Sequence, residues 1–426
     1  MALQSWMAQV CPSSLQPTIK RNRLFRLGIL GAVLWLACAG LAGAAPLVGA
    51  WYYPWYGTFS GGHSWTQTLR ENLVPQQPPA LGYYNSRASA TIEGQIDESH
   101  RGNISFWATS WWGPGSAEDT TIRNNILTDP RAGELKYSVM YESTGRLGTF
   151  ANPNYSNLVP DFQYLAQHYF NNPNYFRING RPVVYIYLTR AYFNAPGAAA
   201  AVANLRQTIQ SQYGVNPYLV GDDVFPGQNN AQRAALWDSI TDFDVYGSAL
   251  QGNGSTTAGV NALASQYQSA LQMAQSVHVG WIPAVSPGFN NRGTGGTLPA
   301  APRYLTDVPG AAEGSLFSAE LNKAVLPTLD PTSGNMLMVS TFNEWHEDTA
   351  IEPTILAAKT SSDDSGSNAY TQGYSYTGYG DLYLNLLRQT TVPEPGGFLL
   401  MAMGIGGICF MRWRMTRASL PEVPRE

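Results

Sequence analysis

Residues 336–353 read MLMVSTFNEWHEDTAIEP, and this stretch guides the interpretation of the whole chain. It begins with a mostly apolar, uncharged run, which is typical of a strand buried on both faces of a parallel sheet. Acidic residues and a histidine follow: Glu344, His346, Glu347 and Asp348. Burial raises the pKa of an unpaired carboxyl group, and a general acid at neutral pH requires such a pKa. Alternatively, these acids reach solvent or pair with arginines, and their role is then structural.

The composition narrows the class of ligand. Charged residues make up 13% of the 426-residue chain and aromatic residues 12%, with a formal net charge of -4. A surface that is polar without being ionic, with many Trp and Tyr residues, suits stacking on sugar rings. Nucleic acid is disfavoured because no stretch is rich in Lys or Arg. Cys11, Cys38 and Cys409 lie in the terminal segments, so the body of the chain has no thiol for a disulfide or a metal site.

Strand-like apolar segments alternate with helix-like segments along residues 45–390, which are predicted to form one domain. The predicted strands are Leu47–Tyr53, Ile104–Thr109, Tyr137–Glu142, Val183–Leu188, Tyr218–Gly221, Phe243–Tyr246, Val279–Val285 and Met336–Phe342. The predicted helices are Ile92–His100, Ala117–Leu127 with Ser116 as N-cap, Leu158–Phe170, Ala198–Tyr213, Ala231–Ile240, Val260–Val277, Leu316–Leu326 and Leu382–Leu387. Such alternation describes an α/β fold, the (β/α)8 TIM barrel. A doubly wound open sheet is the alternative, but no glycine-rich phosphate loop follows the first strand.

Aromatic and acidic residues follow the predicted strands, where a barrel places its active site. The predicted site has two catalytic residues, Glu344 and Glu347, and the following substrate-binding residues: Tyr53, Trp55, Tyr56, Trp111, Trp112, Glu142, Asp222, Tyr246, Asn343 and His346. Each of them alone could be structural, since a Trp usually packs in a core and adjacent acids often cap a helix or bind an arginine. No cofactor is predicted. A metal role for His346 is disfavoured because no second histidine stands at ligand spacing.

Four segments carry a family resemblance: WYYPWYG at 51–57, GDDVF at 221–225, STFNEWHE at 340–347 and IEP at 351–353. They resemble the endo-α-mannosidase family of glycoside hydrolases, family 99, from Val48 to about Thr390. The resemblance implies a (β/α)8 barrel and a retaining hydrolase of α-linked glycans. It also implies that Glu344 acts as a base on the sugar 2-hydroxyl, giving a 1,2-anhydro intermediate, and that Glu347 acts as acid and then as base.

The chain departs from the family pattern at three places. Asp348 stands where the family commonly has Gly, residues 86–88 read SRA where it has Ser-Arg-Asp, and residues 142–144 read EST where it has Glu-Pro-Tyr. These changes alter the polar groups offered to a substrate, so α-mannan is the leading expectation and the sugar stays open. Two other classes remain as alternatives: a non-catalytic, surface-anchored glycan-binding protein, and a structural component of an extracellular matrix.

The first 44 residues have the features of a signal peptide. An apolar run over 27–42 follows four basic residues, Lys20, Arg21, Arg23 and Arg26, and small residues at 42–44 suit a signal peptidase. The mature chain is therefore expected to begin at Ala45. The alternatives are lipid modification at Cys38 and an uncleaved anchor, for which the apolar run is short.

Residues 391–426 resemble the PEP-CTERM sorting signal of Gram-negative bacteria. Pro393-Glu394-Pro395 precedes an apolar segment, 396–411, which is followed by Arg412, Arg414 and Arg417. The resemblance implies an exosortase as partner and a transient inner-membrane anchor. The expected location is the periplasm, the outer surface or the extracellular matrix. An ordinary tail anchor, with the arginines on the cytoplasmic side, is the alternative.

Overall fold

Eight parallel strands form a barrel in the computed structural model, which describes residues 45–247 and 253–392. They are β1 (Leu47–Tyr52), β2 (Phe106–Trp111), β3 (Lys136–Tyr141), β4 (Arg181–Ile186), β5 (Tyr218–Asp222), β6 (Ser239–Thr241), β7 (Gly280–Ile282 and Ala284–Val285) and β8 (Met336–Val339). Each strand pairs in parallel with the next, and β1 also pairs with β8. The predicted (β/α)8 barrel is therefore confirmed.

The ring closes through β7, whose two pieces lie on either side of Pro283. The first piece pairs with β6, and the second pairs with β8, where Ala284 lies opposite Met338. Proline has no backbone N–H to donate to a neighbouring strand. Its carbonyl still takes part, because the N–H of Met338 donates to the oxygen of Pro283 at 2.9 Å.

Helices surround the strands. The α-helices of the described residues are Leu69–Asn72, Ser89–Arg101, Ala117–Thr121, Ser143–Arg146, Leu158–His168, Thr189–Tyr192, Ala198–Tyr213, Ala231–Ala234, Thr257–Ser276, Ser315–Glu320 and Leu382–Thr391. π-Helical turns extend two of them over Ile122–Ile126 and Leu321–Val325. Ser116 caps its helix as predicted, since its Oγ accepts the N–H of Asp119 at 3.0 Å. An antiparallel pair, Leu356–Thr360 with Tyr376–Tyr379, lies outside the barrel sheet.

The barrel interior is filled by large side chains along the strands. A Cβ atom at Gly49 would lie 2.1 Å from the ring of Phe106, so glycine at this position leaves room for that ring. The hydroxyl of Tyr185 lies 3.2 Å from the sulfur of Met336, and Trp51 packs edge-on against Tyr185. Space for a ligand therefore begins at the carboxyl ends of the strands.

The prediction of the sixth strand at Phe243–Tyr246 is wrong, because β6 is Ser239–Thr241 and Phe243 follows it. The helix predicted over Ala231–Ile240 is also too long. It ends at Ala234, and the last two residues of the predicted helix belong to β6. Two of the three residues of β6 are polar, so no apolar run marks the strand. Their hydroxyls are satisfied inside the protein, as Thr241 Oγ1 donates to the oxygen of Ile282 at 2.8 Å, and burial is then tolerated.

Within residues 45–247 and 253–392, no helix is both long enough and apolar enough to span a membrane. The predicted signal peptide and sorting signal, with their apolar segments 27–42 and 396–411, lie outside these described residues. The predicted cleavage and anchoring therefore stay predictions.

Candidate active site

Glu344 and Glu347 lie in a turn after β8, and both side chains face one cleft. Asn343 fixes the start of this turn, because its Oδ1 accepts the N–H of Tyr53 at 2.7 Å and its Nδ2 donates to the oxygen of Tyr53 at 3.0 Å. The turn closes where the N–H of Thr349 donates to the oxygen of Glu344 at 3.2 Å. In a continuing strand, residues three apart would face opposite ways. The turn removes that alternation.

The cleft has a volume of about 320 Å³ and lies at the carboxyl ends of the strands. Its lining residues are Tyr53, Trp55, Trp112, Glu142, Thr144, Tyr187, Phe243, Asn291, Thr294, Glu344, His346 and Glu347. It thus brings together seven of the predicted site residues: Tyr53, Trp55, Trp112, Glu142, Glu344, His346 and Glu347. Within the described part of the chain, its lining contains no lysine or arginine. Carboxyl, amide and hydroxyl groups beside aromatic rings suit a neutral, hydroxyl-rich ligand.

The two carboxylate oxygens of Glu344 have different environments. Oε1 accepts the N–H of His346 at 2.9 Å and lies 3.4 Å from the hydroxyl of Tyr56. Oε2 is buried and has no hydrogen-bond partner among the described residues. Burial and, next, the carboxyl of Glu347 raise the pKa of Glu344 well above its usual value, while the two donors oppose this rise.

Glu347 is held by its backbone, since its carbonyl oxygen accepts the N–H of Asn290 at 2.7 Å. Burial raises the pKa of its carboxyl group to about 8, and the negative charge of Asp244 contributes. Hydrogen-bond donors favour the ionised form of a carboxyl group. Because the donors described above act on Glu344, they favour its ionised form within this coupled pair, while burial raises the pKa of both carboxyl groups.

Glu142 contributes a third carboxyl group from the end of β3. Its Oε1 accepts the hydroxyl of Ser110 at 2.6 Å. Burial raises the pKa of Glu142 to about 8, although the hydrogen bond from Ser110 opposes the rise. Glu142 is therefore largely protonated at neutral pH and can donate a hydrogen bond to a ligand.

His346 lies between the two glutamates in sequence and beside Glu344 in space. Its Nε2 lies 3.1 Å from the carbonyl oxygen of Ser64, which can only accept, so Nε2 carries the hydrogen. Its Nδ1 then has a free lone pair, 3.6 Å from Oε1 of Glu344. Burial lowers the pKa of His346 to about 4, so the ring is neutral at pH 7. Its hydrogen bond to Glu344 comes from the backbone.

Three predicted site residues support the turn or the barrel wall without lining the cleft. Asn343 ties the turn to β1, as described above. The hydroxyl of Tyr56 accepts the N–H of Trp345 at 2.8 Å. Trp111 faces away from the barrel axis, where its Nε1 donates to Asp119 at 2.9 Å, because side chains alternate along β2.

Asp222 and Tyr246 are the other two predicted residues that the cleft does not include. Asp222 accepts hydrogen bonds from the N–H of Leu188 and of Phe243, both at 3.0 Å, and forms an ion pair with Arg190 at 2.8 Å. Its carboxylate is therefore satisfied by the protein. The ring of Tyr246 stacks on that of Phe289 at 3.7 Å.

Several residues of the site are absent from the sequence-based prediction. Tyr187 follows β4 directly and lines the cleft, so the rule that functional residues follow barrel strands would have found it. Asn291 lies in the loop after β7, and its Oδ1 is buried without a partner among the described residues. Ser110 precedes Trp111 in β2, and because side chains alternate along a strand it faces the barrel interior, where it donates to Glu142. Glu352 receives the indole N–H of Trp345 at 2.7 Å and so supports the turn.

Asp348 is buried among charges of opposite sign. Its carboxylate is paired with Arg70 at 2.7 Å and with Arg303 at 3.3 Å, and both arginines also lie near Glu313. The backbone of Asp348 has a φ of 50°. Glycine adopts this left-handed conformation more readily than aspartate does, so the ion pairs explain how an aspartate is accommodated here.

A metal site was not predicted. Among residues 45–247 and 253–392, no three His, Cys, Asp or Glu side chains are grouped so that they could hold a metal ion.

The chain is similar to known proteins over most of its length. Residues 59–384 match the family model described as glycosyl hydrolase family 99. The glycoprotein endo-alpha-1,2-mannosidase of Rattus norvegicus is 23% identical over 342 residues, covering 72% of this chain and 68% of that protein. The protein of the same name from Xenopus laevis is 22% identical over 333 residues, covering 71% and 69%.

A solved structure has a similar fold. The GH99 endo-alpha-mannosidase from Bacteroides thetaiotaomicron, in complex with Bis-Tris propane, superposes with a TM-score of 0.56 at 19% identity. The match covers 81% of this chain and 95% of that chain. At this identity the likeness concerns the barrel and its connections.

Proposed function

Because the chain belongs to glycosyl hydrolase family 99 and is a glycoside hydrolase, we propose that it cleaves α-mannosidic bonds within glycan chains with retention of configuration. The observation that carries the proposal is the pair of carboxyl groups, Glu344 and Glu347, in one cleft. Its curated relatives are named as endo-alpha-1,2-mannosidases, which supports the choice of sugar and of internal cleavage.

The proposed first step uses one ionised and one protonated carboxyl group, as glycoside cleavage requires. Glu344 takes the proton of the sugar 2-hydroxyl, and that oxygen attacks the anomeric carbon while the bond to the leaving oxygen breaks. Glu347 gives its proton to the leaving oxygen. The sugar then carries a 1,2-anhydro ring.

The second step reverses the proton movements. Glu347, now ionised, takes a proton from water, whose oxygen attacks the anomeric carbon and opens the three-membered ring. Glu344 returns its proton to the 2-oxygen. Each step inverts the anomeric carbon, so the product keeps the configuration of the substrate.

The environments of the two residues support these roles. The unpartnered Oε2 of Glu344 is free to accept a hydrogen bond from a substrate hydroxyl. The raised pKa of Glu347, about 8, keeps it protonated at neutral pH, as a general acid must be. The partner-free Oδ1 of Asn291 is a further acceptor for a sugar hydroxyl.

Two substitutions test the assignment. Glu344→Gln and Glu347→Gln should each lower turnover of an α-mannan by about 10²- to 10⁴-fold, the usual contribution of a general acid or base. With a leaving group that needs no proton, Glu347→Gln should keep much of the first-step rate, whereas Glu344→Gln should not. Wild-type rates in both variants would contradict the assignment of the two glutamates. Absence of cleavage by the intact protein would favour the alternative, a non-catalytic glycan-binding protein.

We also propose that the protein is exported and sorted through its termini. The support is the order of features in the sequence: the basic and apolar run before Ala45, and Pro393-Glu394-Pro395 with its apolar segment and arginines. Deletion of residues 392–426 should release active protein from the membrane fraction of a Gram-negative host. Retention of the truncated protein in that fraction, after cleavage near Ala45, would contradict the sorting proposal.

A further inference from the structure

A second cavity, of about 470 Å³, lies beside the cleft. We call it the rim cavity, and its main lining side chains are Phe59, His63, Ser64, Trp65, Tyr83 and Asn85. These residues come from the segment after β1 and from the loop before helix Ser89–Arg101. None of them belongs to the lining of the cleft.

One pair of rings separates the two spaces. His63, in the rim cavity, stacks on Trp55, in the cleft, with centroids 4.2 Å apart and planes inclined by 7°. A second connection is the hydrogen bond between Nε2 of His346 and the oxygen of Ser64, at 3.1 Å. These two contacts join the lining of the cleft to the lining of the rim cavity, so a glycan that occupies both spaces would have to pass the Trp55–His63 pair.

The aromatic walls of the rim cavity are rigidly held. The indole N–H of Trp65 donates to the oxygen of Tyr84 at 3.0 Å, and its ring stacks on that of Tyr56 at 4.3 Å. The ring of Tyr83 is 5.5 Å from Trp65 and inclined to it by 42°. Tyr83 is 40% exposed, so its ring presents a face to an incoming ligand at little cost in conformational entropy.

The polar groups of the rim cavity are uncharged. Ser64 and Asn85 supply a hydroxyl and an amide, and burial lowers the pKa of His63, which keeps its ring neutral at pH 7. No Lys, Arg, Asp or Glu is among the lining residues in the described part of the chain. The guanidinium of Arg87 lies 3.8 Å from the ring centre of Phe59, outside the lining, where it donates to Thr121 and to the oxygen of Ala117. A pyranose ring offers C–H faces to the aromatic rings and hydroxyls to the neutral polar groups.

We propose that the rim cavity is a second sugar-binding site, which takes a neutral pyranose unit of the same glycan whose bond is cleaved in the cleft. The identity of that glycan rests on the proposed function. The consequence is a preference for long chains, because only a chain that crosses the Trp55–His63 pair occupies both spaces.

Calorimetric titration of the intact Glu347→Gln protein, whose turnover is expected to be strongly reduced, tests this. The probes are α-linked mannose oligosaccharides from disaccharide to octasaccharide. Affinity should rise once the chain is long enough to reach the rim cavity. Adding Tyr83→Ala should weaken binding of the long probes by roughly five- to tenfold, the size expected for loss of one aromatic contact, and leave binding of the disaccharide unchanged.

Matched variants keep the test specific. Tyr83→Phe keeps the ring and should keep the length dependence, as should Phe150→Ala, which removes an exposed ring outside the rim cavity. Thr58→Trp fills the cavity instead of truncating its wall and should abolish the gain with length. Binding that is independent of length, or equal with and without Tyr83→Ala and Thr58→Trp, overturns the second site alone. Absence of any binding overturns the proposed function as well.

Discussion

The hydroxyl oxygen of Tyr56 lies 3.4 Å from Oε1 of Glu344. The same oxygen accepts the N–H of Trp345 at 2.8 Å, so its own hydrogen is left for the carboxylate. Tyr56 therefore joins the backbone of the turn to the residue that we assign as the base. It acts through Glu344 and is a positioning residue.

Replacing Tyr56 by Phe should shift the pH profile of activity. Loss of the donor raises the pKa of Glu344, and since the base must be ionised, the acid limb of kcat/KM should move to higher pH. A hydrogen bond to a charged group contributes about 1.5–3 kcal/mol, so kcat/KM below the limb should fall by roughly 10- to 100-fold. Tyr84→Phe is the matched control, because that hydroxyl donates to Glu352 at 2.7 Å. An acid limb that stays in place in Tyr56→Phe contradicts the assignment.

The basic limb of the kcat/KM profile should reflect the pKa of Glu347. Its pKa of about 8 means that kcat/KM decreases as the pH rises through about 8, because the general acid is lost. Asp244→Asn removes a neighbouring negative charge and should move this limb to lower pH. Asp238→Asn removes a carboxylate that pairs with Arg181 and Arg206, both at 2.8 Å, and should leave it unchanged. Rates measured from pH 5 to 10 decide between these outcomes.

Glu142 should make stability depend on pH. Its pKa is about 8 in the folded protein against an ordinary value of 4.5, so the folded state binds the proton more tightly. The resulting stabilisation is complete below about pH 4.5 and is lost as the pH rises through about 8. In Glu142→Gln, the decrease in the free energy of unfolding over this range should be smaller by about 2–4 kcal/mol. Denaturant unfolding at several pH values measures it, and an identical slope in both proteins would show that Glu142 is ionised in the fold.

Breaking the ion pairs of Asp348 should be costly. Asp348→Asn keeps the shape of the side chain, and asparagine tolerates the positive φ at this position. The substitution removes the buried negative charge that pairs with Arg70 and Arg303. Removing one member of a buried ion pair typically costs about 3–5 kcal/mol. Asp97→Asn breaks an exposed pair with Arg131 and should cost far less. Equal costs in the two variants would mean that the charges around Asp348 are effectively solvated.

The barrel could be predicted from the sequence because most of its strands are continuous apolar runs. The strand β6 could not be predicted in this way, because Ser239 and Thr241 are polar. Their burial is tolerated only because their hydroxyls form hydrogen bonds in the folded protein. Trp111 and Trp112 look equivalent in sequence, yet β2 ends between them, so one faces the helices and the other faces the cleft.

Pairing across long separations limits prediction of the site. Asp222 ends β5 at the same end of the barrel as the proposed catalytic residues, but Arg190, from the short helix after β4, neutralises it. Asp348 stands where glycine is usual, and its partner Arg70 is 278 positions away in the chain. The sequence shows that Asp222 and Asp348 are acidic. It does not show which arginine each one pairs with, because those contacts form only when the barrel closes.

The pairing of β1 with β8 has a consequence for biosynthesis. Leu47 lies opposite Met336, roughly 290 positions later in the chain, and ribosomes add about 5–20 residues per second. The first strand therefore waits for tens of seconds with one edge unpaired, and an unpaired strand edge is a template for aggregation. We expect a nascent chain of this kind to need protection of that edge until its last strand arrives.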